Sequence, residues 1–295
     1  MQAFKLIEVQ KSRDFGQTLT VTFNFLGQNI KNFTKSLFYI AAIPLLVAII
    51  FSNFILPEMM SGFQPSGVSP QFMVQQLPTI FISSLASALV SLVATVFITI
   101  IPVIYIKLYM EKKTNEISVN EVWLQVKRLF FKILLAEIGV AFIIGIAFLF
   151  LIIPGIYVSI AFCLMPVIIV IEDSSFSESI GRSSRLISGH WWFTLGLFIV
   201  LYIILVVISV VLTVPTYILS FVSAISSSDP RTFMQTDWKF KLATSLSGVS
   251  HLFYSFFTTA LTFHYFSLKE KKEATGLFEK IDSMSSHSDA QEPVI

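Results

Sequence analysis

Between Lys132 and Glu172 the chain runs through 39 residues of which only Glu137 is charged, and Pro154-Gly155 lies in their midst. One unbroken helix of that length would be about 58 Å long at 1.5 Å per residue, roughly twice the hydrocarbon thickness of a bilayer. The Pro-Gly pair therefore predicts a tight hairpin joining two antiparallel membrane spans, at 133–153 and 155–171.

Four further apolar stretches, at 36–56, 78–106, 191–214 and 242–266, complete six candidate spans. The whole chain is 55% hydrophobic and 13% charged, with a mean hydropathy of +0.78 and thirty phenylalanines. A soluble domain carries about 25% charged residues, so lipid is the expected solvent. The fold class predicted is an all-α, polytopic transmembrane bundle of six spans with three amphipathic helices at one face. The single cysteine, Cys163, leaves no disulfide framework and no cysteine-ligated metal site. The first 35 residues mix charges with apolar positions and lack a cleavable signal core, so the mature chain is expected to start at Met1. A net charge of +2 is too small for a nucleic-acid partner.

Basic residues orient the spans, because cationic loops are retained on the cytoplasmic side. Lys5, Lys11, Arg13, Lys31 and Lys35 precede the first span, and Lys107, Lys112, Lys113, Lys127, Arg128 and Lys132 separate the second and third. Arg182 and Arg185 lie between the fourth and fifth, while Lys269, Lys271, Lys272 and Lys280 follow the sixth. Only Arg231, Lys239 and Lys241 remain for the other side. Both termini are expected to be cytoplasmic.

The segments ahead of the odd-numbered spans overlay without a gap. Asp14-x-x-Gln17, Ser118-x-x-Glu121 and Ser175-x-x-Glu178 coincide, each with the capping-box spacing that satisfies orphan amides at a helix start. After each box an apolar stripe follows at helical spacing: Phe15, Leu19, Thr22, Leu26 and Ile30; Val119, Trp123, Val126 and Phe130; Phe176, Ile180, Ser183 and Ile187. The odd spans end near Pro57, Pro154 and Pro215, and Pro102 and Pro166 are expected to kink two even spans. A threefold repeat follows, with units at about 14–110, 118–172 and 175–268, each an amphipathic helix, a span, a proline-marked turn and a returning span. Residues 1–13 form an N-terminal cytoplasmic segment, and 269–295 a disordered polar tail.

The stretch from Leu149 to Trp192 holds Ile153-Pro154-Gly155-Ile156-Tyr157, Pro166-Val167, Glu172, and Ser179-Ile180-x-Arg182-Ser183-x-x-Leu186-x-x-Gly189-x-x-Trp192. It resembles bacterial membrane proteins related to the membrane domain of some glycerophosphodiester phosphodiesterases, departing from their pattern at Ser179, where alanine is usual. The resemblance implies the bacterial cytoplasmic membrane but no activity. The phosphodiesterase catalytic domain is a separate soluble barrel, and no part of this chain is long and polar enough to form it.

Few residues offer chemistry. Glu137 stands in an apolar stretch, where a carboxylate faces a cavity or a partner, or else, from a shallow depth about a turn from Lys132, reaches the headgroups or pairs with a base. His251 belongs to a hydroxyl-rich sixth span that either lines a path or lets helices approach closely; His264 reads as interfacial. Arg182 and Arg185, with Ser183 and Ser184, suit lipid phosphate or a cytoplasmic partner, or simple retention on the cytoplasmic side. Gly189 is expected to end the third capped helix before an interfacial anchor at Trp191-Trp192. Common catalytic and nucleotide motifs are missing, and no cofactor or metal is expected.

The expectation is a non-enzymatic membrane protein, a lipid-interacting or scaffolding module in envelope maintenance with membrane lipids as partners. The alternatives are a transporter or channel, which requires polar residues from several spans to converge on a cavity, and an enzyme acting on lipid headgroups.

Overall fold

The computed structural model describes residues 6–59, 70–226, 241, 245 and 248–274, and these hold helices and connecting segments with no strand. The elements are α1 (Phe15–Ile50), α2 (Pro70–Lys112), α3 (Val119–Phe150), α4 (Ile152–Phe162), α5 (Met165–Glu172), α6 (Phe176–Ile187), α7 (Trp191–Ser226) and α8 (Tyr254–Glu273). Five stretches are long and apolar enough to cross a membrane: Phe15–Glu58, Leu77–Lys112, Val119–Phe150, Ile152–Glu172 and Trp191–Leu219. The sixth expected span lies partly outside the described residues. Its described part, α8, is buried without interruption from Ser255 to Leu268, and its hydroxyls and charged last turn keep it from reading as a span by hydropathy.

All three capping boxes form. The side chains of Asp14, Ser118 and Ser175 accept from the amides of Gln17, Glu121 and Glu178, which reach back to the cap amides. The residues buried behind the caps fall at the same steps. They are Thr18, Thr22 and Phe25 after Asp14, Val122, Val126 and Leu129 after Ser118, and Ser179, Ser183 and Leu186 after Ser175. This buried line is turned from the predicted stripe, which shares only Thr22, Val126, Ser183 and Ile187 with the fully buried set; Ile30 is exposed. The first two buried positions behind each cap are small or β-branched and the third is a larger Phe or Leu, whereas Phe15, Leu19 and Trp123 flank the seam half-buried.

Three inner segments receive these helices: α2 from Ala94 to Tyr109, α5, and α8. Helix α1 packs against α8 and α2, α3 against α2 and α5, and α6 against α5 and α8. Each inner helix stops at a residue with left-handed backbone: Lys113 and Asp173 with φ of 53° and Ala274 with φ of 49°. These are the non-glycine residues of positive φ among the described ones.

Several expected boundaries are corrected. In the first two units the capped helix is not a separate amphipathic element; α1 and α3 run straight into their spans. No proline intervenes before Pro44 in α1 or anywhere in α3, so nothing interrupts the hydrogen-bond ladder. In the third, Gly189 at φ +80° ends the capped segment as expected, and α7 starts at Trp191. The hairpin is present, but its turning residue is Leu151, which is extended (φ −167°, ψ 155°). Pro154 stands third in α4, where a helix has no use for an amide proton. Gly155 is needed because a Cβ there would lie 2.5 Å from ring carbons of Phe148.

Helix α7 continues through Pro215 to Ser226, while its stretch long and apolar enough to cross a membrane is Trp191–Leu219. Pro57 lies in a terminal helical turn, Leu56–Met59, that follows a π-helical stretch, Phe51–Ile55. Helix α2 likewise continues through Pro102. Where a kink was expected at Pro166, the helix is interrupted at Cys163–Leu164, with Pro166 in the first turn of α5. The N-terminal segment packs on the capped end of the bundle: Ile7 N donates to Tyr109 Oη (2.8 Å) and Arg13 N to Ser267 Oγ (2.9 Å). Burial lowers the Arg13 pKa, and its guanidinium donates to the carbonyls of Glu8, Val9 and Lys11. The loops expected at 57–77 and 222–238 are helical where described, over 57–59, 70–77 and 222–226, and the tail expected from 269 begins as helix, since α8 runs to Glu273 and stops at Ala274; the rest of these segments lies outside the described residues.

Candidate functional site

Glu172, the last residue of α5, and Arg182, two turns into α6, face each other at the capped end. Arg182 Nε lies 3.2 Å from Glu172 Oε2 and Nη2 lies 3.1 Å from Oε1. Helix α8 closes the group with one stripe at four-residue spacing. Tyr265 donates to Glu172 (2.6 Å), Lys269 lies 3.4 Å from it, and Glu273 pairs with Arg182 Nη1. The hydrogen bonds from Arg182 hold the Glu273 pKa below the usual carboxylate range, and the same contacts raise that of Arg182. Sequence reasoning singled out Arg182 for lipid phosphate; all three of its donor nitrogens are instead engaged with carboxylates. Ser183 is fully buried and donates to Ala161 O (2.7 Å). Arg185 is exposed, and its carbonyl accepts from Lys272. Tyr265, Lys269 and Glu273 were missed, although their i, i+4, i+8 spacing is visible in the sequence.

Lysines close the neighbouring helix ends, where carbonyls lack amide partners. Lys107 donates to Val170 O (2.8 Å), Lys132 to Asp173 O (3.0 Å) and Lys272 to Ser188 O (2.7 Å). Lys132 also holds the Asp173 side chain and lowers its pKa.

Five residues beyond Lys132, or about 7.5 Å along the helix axis, Glu137 turns into a cavity of about 320 Å³ between α2, α3, α4 and α8. Thr95 and Thr99, Ser159, and Tyr254 with Thr258 join it there, and the remaining wall is apolar. Thr99 Oγ1 lies 3.3 Å from Glu137 Oε1. Glu137 thus lines a cavity and meets Thr99 across α2 and α3. His251 is not brought to it: the ring is exposed, with Nδ1 2.9 Å from Gly248 O. The hydroxyls of Ser255, Thr259 and Thr262 bond back to their own helix, as close-packed small residues do. His264, expected to be interfacial, is fully buried within the protein, its Nε2 2.9 Å from Thr194 Oγ1.

A larger groove, about 780 Å³, opens between α1, α2 and the start of α3. Tyr39, Ile43, Val47, Val93, Phe97 and Trp123 line it, and Phe97 stacks on Trp123 with centroids 6.4 Å apart. Beside it lies a polar recess of about 350 Å³ with Asn32, Lys35 and Ser118 in its wall; Tyr39 and Val119 line both. A long apolar groove and a cationic, hydrogen-bonding recess therefore adjoin across Tyr39 and Val119. Among the described residues no His, Cys, Asp and Glu group is arranged to hold a metal ion.

A family model described as Domain of unknown function (DUF7847) matches residues 121–268, which run from the first turn of α3 through the buried part of α8. No curated protein and no solved structure matches the chain.

Proposed function

The chain belongs to the DUF7847 family, a domain of unknown function, and from its geometry we propose that it is a lipid-holding module of the bacterial cytoplasmic membrane. One observation carries this: the apolar groove between α1, α2 and α3 adjoins, across Tyr39 and Val119, a recess walled by Lys35, Asn32 and Ser118. Acyl chains would fill the groove, and an anionic headgroup would meet Lys35 at its mouth, a division of labour natural to a phospholipid at an interface. No catalytic step is part of the proposal. The resemblance of residues 149–192 to membrane domains of glycerophosphodiester phosphodiesterases belongs to it, as a stand-alone domain without the barrel.

The architecture proposed is six spans in three repeated units about an axis along the membrane normal, with both termini cytoplasmic. Its supports are the three capping boxes, the identical steps of burial behind them, the left-handed ends of the inner helices and the cyclic pairing of capped with inner helices. The excess of Lys and Arg at the capped face supports the orientation. The cavity at Glu137 supports a second reading, transport, because polar groups from several helices meet there.

Quenching of Trp123 tests the lipid groove. In a protein whose other tryptophans are replaced by Phe, brominated acyl chains on an anionic lipid should quench at a lower mole fraction than the same chains on a zwitterionic lipid. Lys35→Gln should remove the difference. Quenching that follows bulk composition for both headgroups refutes a specific lipid site.

A further inference from the structure

The cavity at Glu137 offers a ligand mainly hydrogen-bond acceptors, with the Tyr254 hydroxyl and the Cys163 thiol as the side chains there that bring a donor of their own. Thr95 Oγ1 donates to Ser91 O (2.9 Å), Ser159 Oγ to Gly155 O (2.7 Å) and Thr258 Oγ1 to Tyr254 O (3.3 Å). Thr99 spends its proton between Thr95 O and Glu137. A hydroxyl has one proton and two lone pairs. With the protons committed to the helices' own carbonyls, as Ser and Thr in apolar helices commit them, the lone pairs remain for the cavity. The carboxylate adds acceptors and negative charge. No Lys, Arg or His is among the described residues lining the cavity, and no described cation pairs with Glu137.

A carboxylate within a span is costly unless a partner or a cavity compensates it. Beside acceptors and hydrocarbon, the groups facing it bring the uncharged O–H of Tyr254 and S–H of Cys163 but no cation, so the compensating charge is left to a ligand. The apolar part of the wall, which includes Leu92, Val140, Ile144 and Phe162, gives a small hydrated ion no oxygen ligands but suits a hydrocarbon body. A volume of about 320 Å³ is at the lower end of ligand pockets, which run from about 300 to 1,000 Å³.

We propose that this cavity is a binding site for a hydrophobic organic ammonium ion, its N–H groups on Glu137, Thr95 and Thr258 and its hydrocarbon body between α2, α3 and α4. The site is separate from the lipid groove, and its occupancy stands whether or not the ligand is carried across the membrane.

Three photoactivatable diazirine probes with the same eight-carbon chain, ending in a primary ammonium, a hydroxyl or a carboxylate, test it on the full-length protein in lipid nanodiscs. The ammonium probe should label peptides spanning 92–99, 137–144 and 254–261 at least tenfold more than the other two. Excess unlabelled octylammonium should compete, and sodium chloride at equal concentration should not. Glu137→Gln should cut the labelling at least tenfold, while Lys35→Gln, which belongs to the groove, should leave it unchanged. Equal labelling by the three probes, preference for the carboxylate, or displacement by sodium chloride overturns the proposal. The probe comparison needs no variant, so it decides the matter even where Glu137→Gln fails to fold.

Discussion

Arg182 grips Glu172 through two nitrogens, Nε and Nη2, each within 3.3 Å of a carboxylate oxygen, and so ties α6 to the end of α5. The side chains are 22% and 21% exposed, which makes this pair less screened than a surface ion pair. Arg182→Gln should cost about 2 kcal/mol, in the range of hydrogen bonds to charged groups. Arg182→Lys should recover less than half of that, since an ammonium cannot form the fork. Thermal stability in detergent, read as the fraction eluting at the native size after heating, distinguishes these from a dispensable contact, for which Lys and Gln behave alike.

Acid should loosen the same face. Glu273 and Asp173 both have pKa values lowered in the folded state by hydrogen bonds from Arg182 and Lys132. A lowered folded value means that the contribution is present above the unfolded pKa, about 4, and is lost as pH falls through the folded value. The melting temperature should therefore hold from pH 7 to about 5 and fall below about 4. Asp173→Asn should flatten part of that fall; an unchanged profile would remove Asp173 from the account.

Gly155 and Phe148 should couple. Ala at 155 brings a methyl against the Phe148 ring, an overpacking worth about 1–3 kcal/mol, whereas Phe148→Ala alone opens room. The double variant should be more stable than the sum of the two single changes implies. Strict additivity would show that the ring moves aside freely.

The capped helices should show one phase of protection. In a Cys163→Ser background, cysteines at Asn120, Leu124 and Lys127 should react with a water-soluble thiol reagent or a bilayer-borne one, and cysteines at Val122, Val126 and Leu129 with neither. Gln17, Thr20 and Asn24 against Thr18, Thr22 and Phe25 should repeat the pattern in α1. Unrelated phases would dismiss the proposed repeat.

Orientation can be read in whole cells. An impermeant thiol reagent should label a cysteine placed at Glu58 and spare one at Asn115. Labelling at Asn115 alone inverts the proposed topology.

Helix starts, the hairpin and the apolar stretches were legible because each depends on neighbours in the chain. A capping box needs only residues three apart, and a run such as Ala141–Ile153 needs only its own hydropathy. Helix ends were less legible. Nothing local reveals that α7 passes through Pro215 or that Leu151 rather than Pro154 turns the hairpin, since both depend on what packs around the freed backbone groups. Glu137 could be singled out as unusual from its neighbours alone. That it meets Thr99 at a cavity was decided by α2 lying against α3. Arg182 was conspicuous as a charge, but its partners lie ten residues before it and on α8. Local pattern sets which segments are helical and which carry charge, because propensity, capping and hydropathy act over a few residues. Assembly decides which of those charges are spent on one another and which is left facing a cavity, because burial and Coulomb attraction act between segments that only packing brings together.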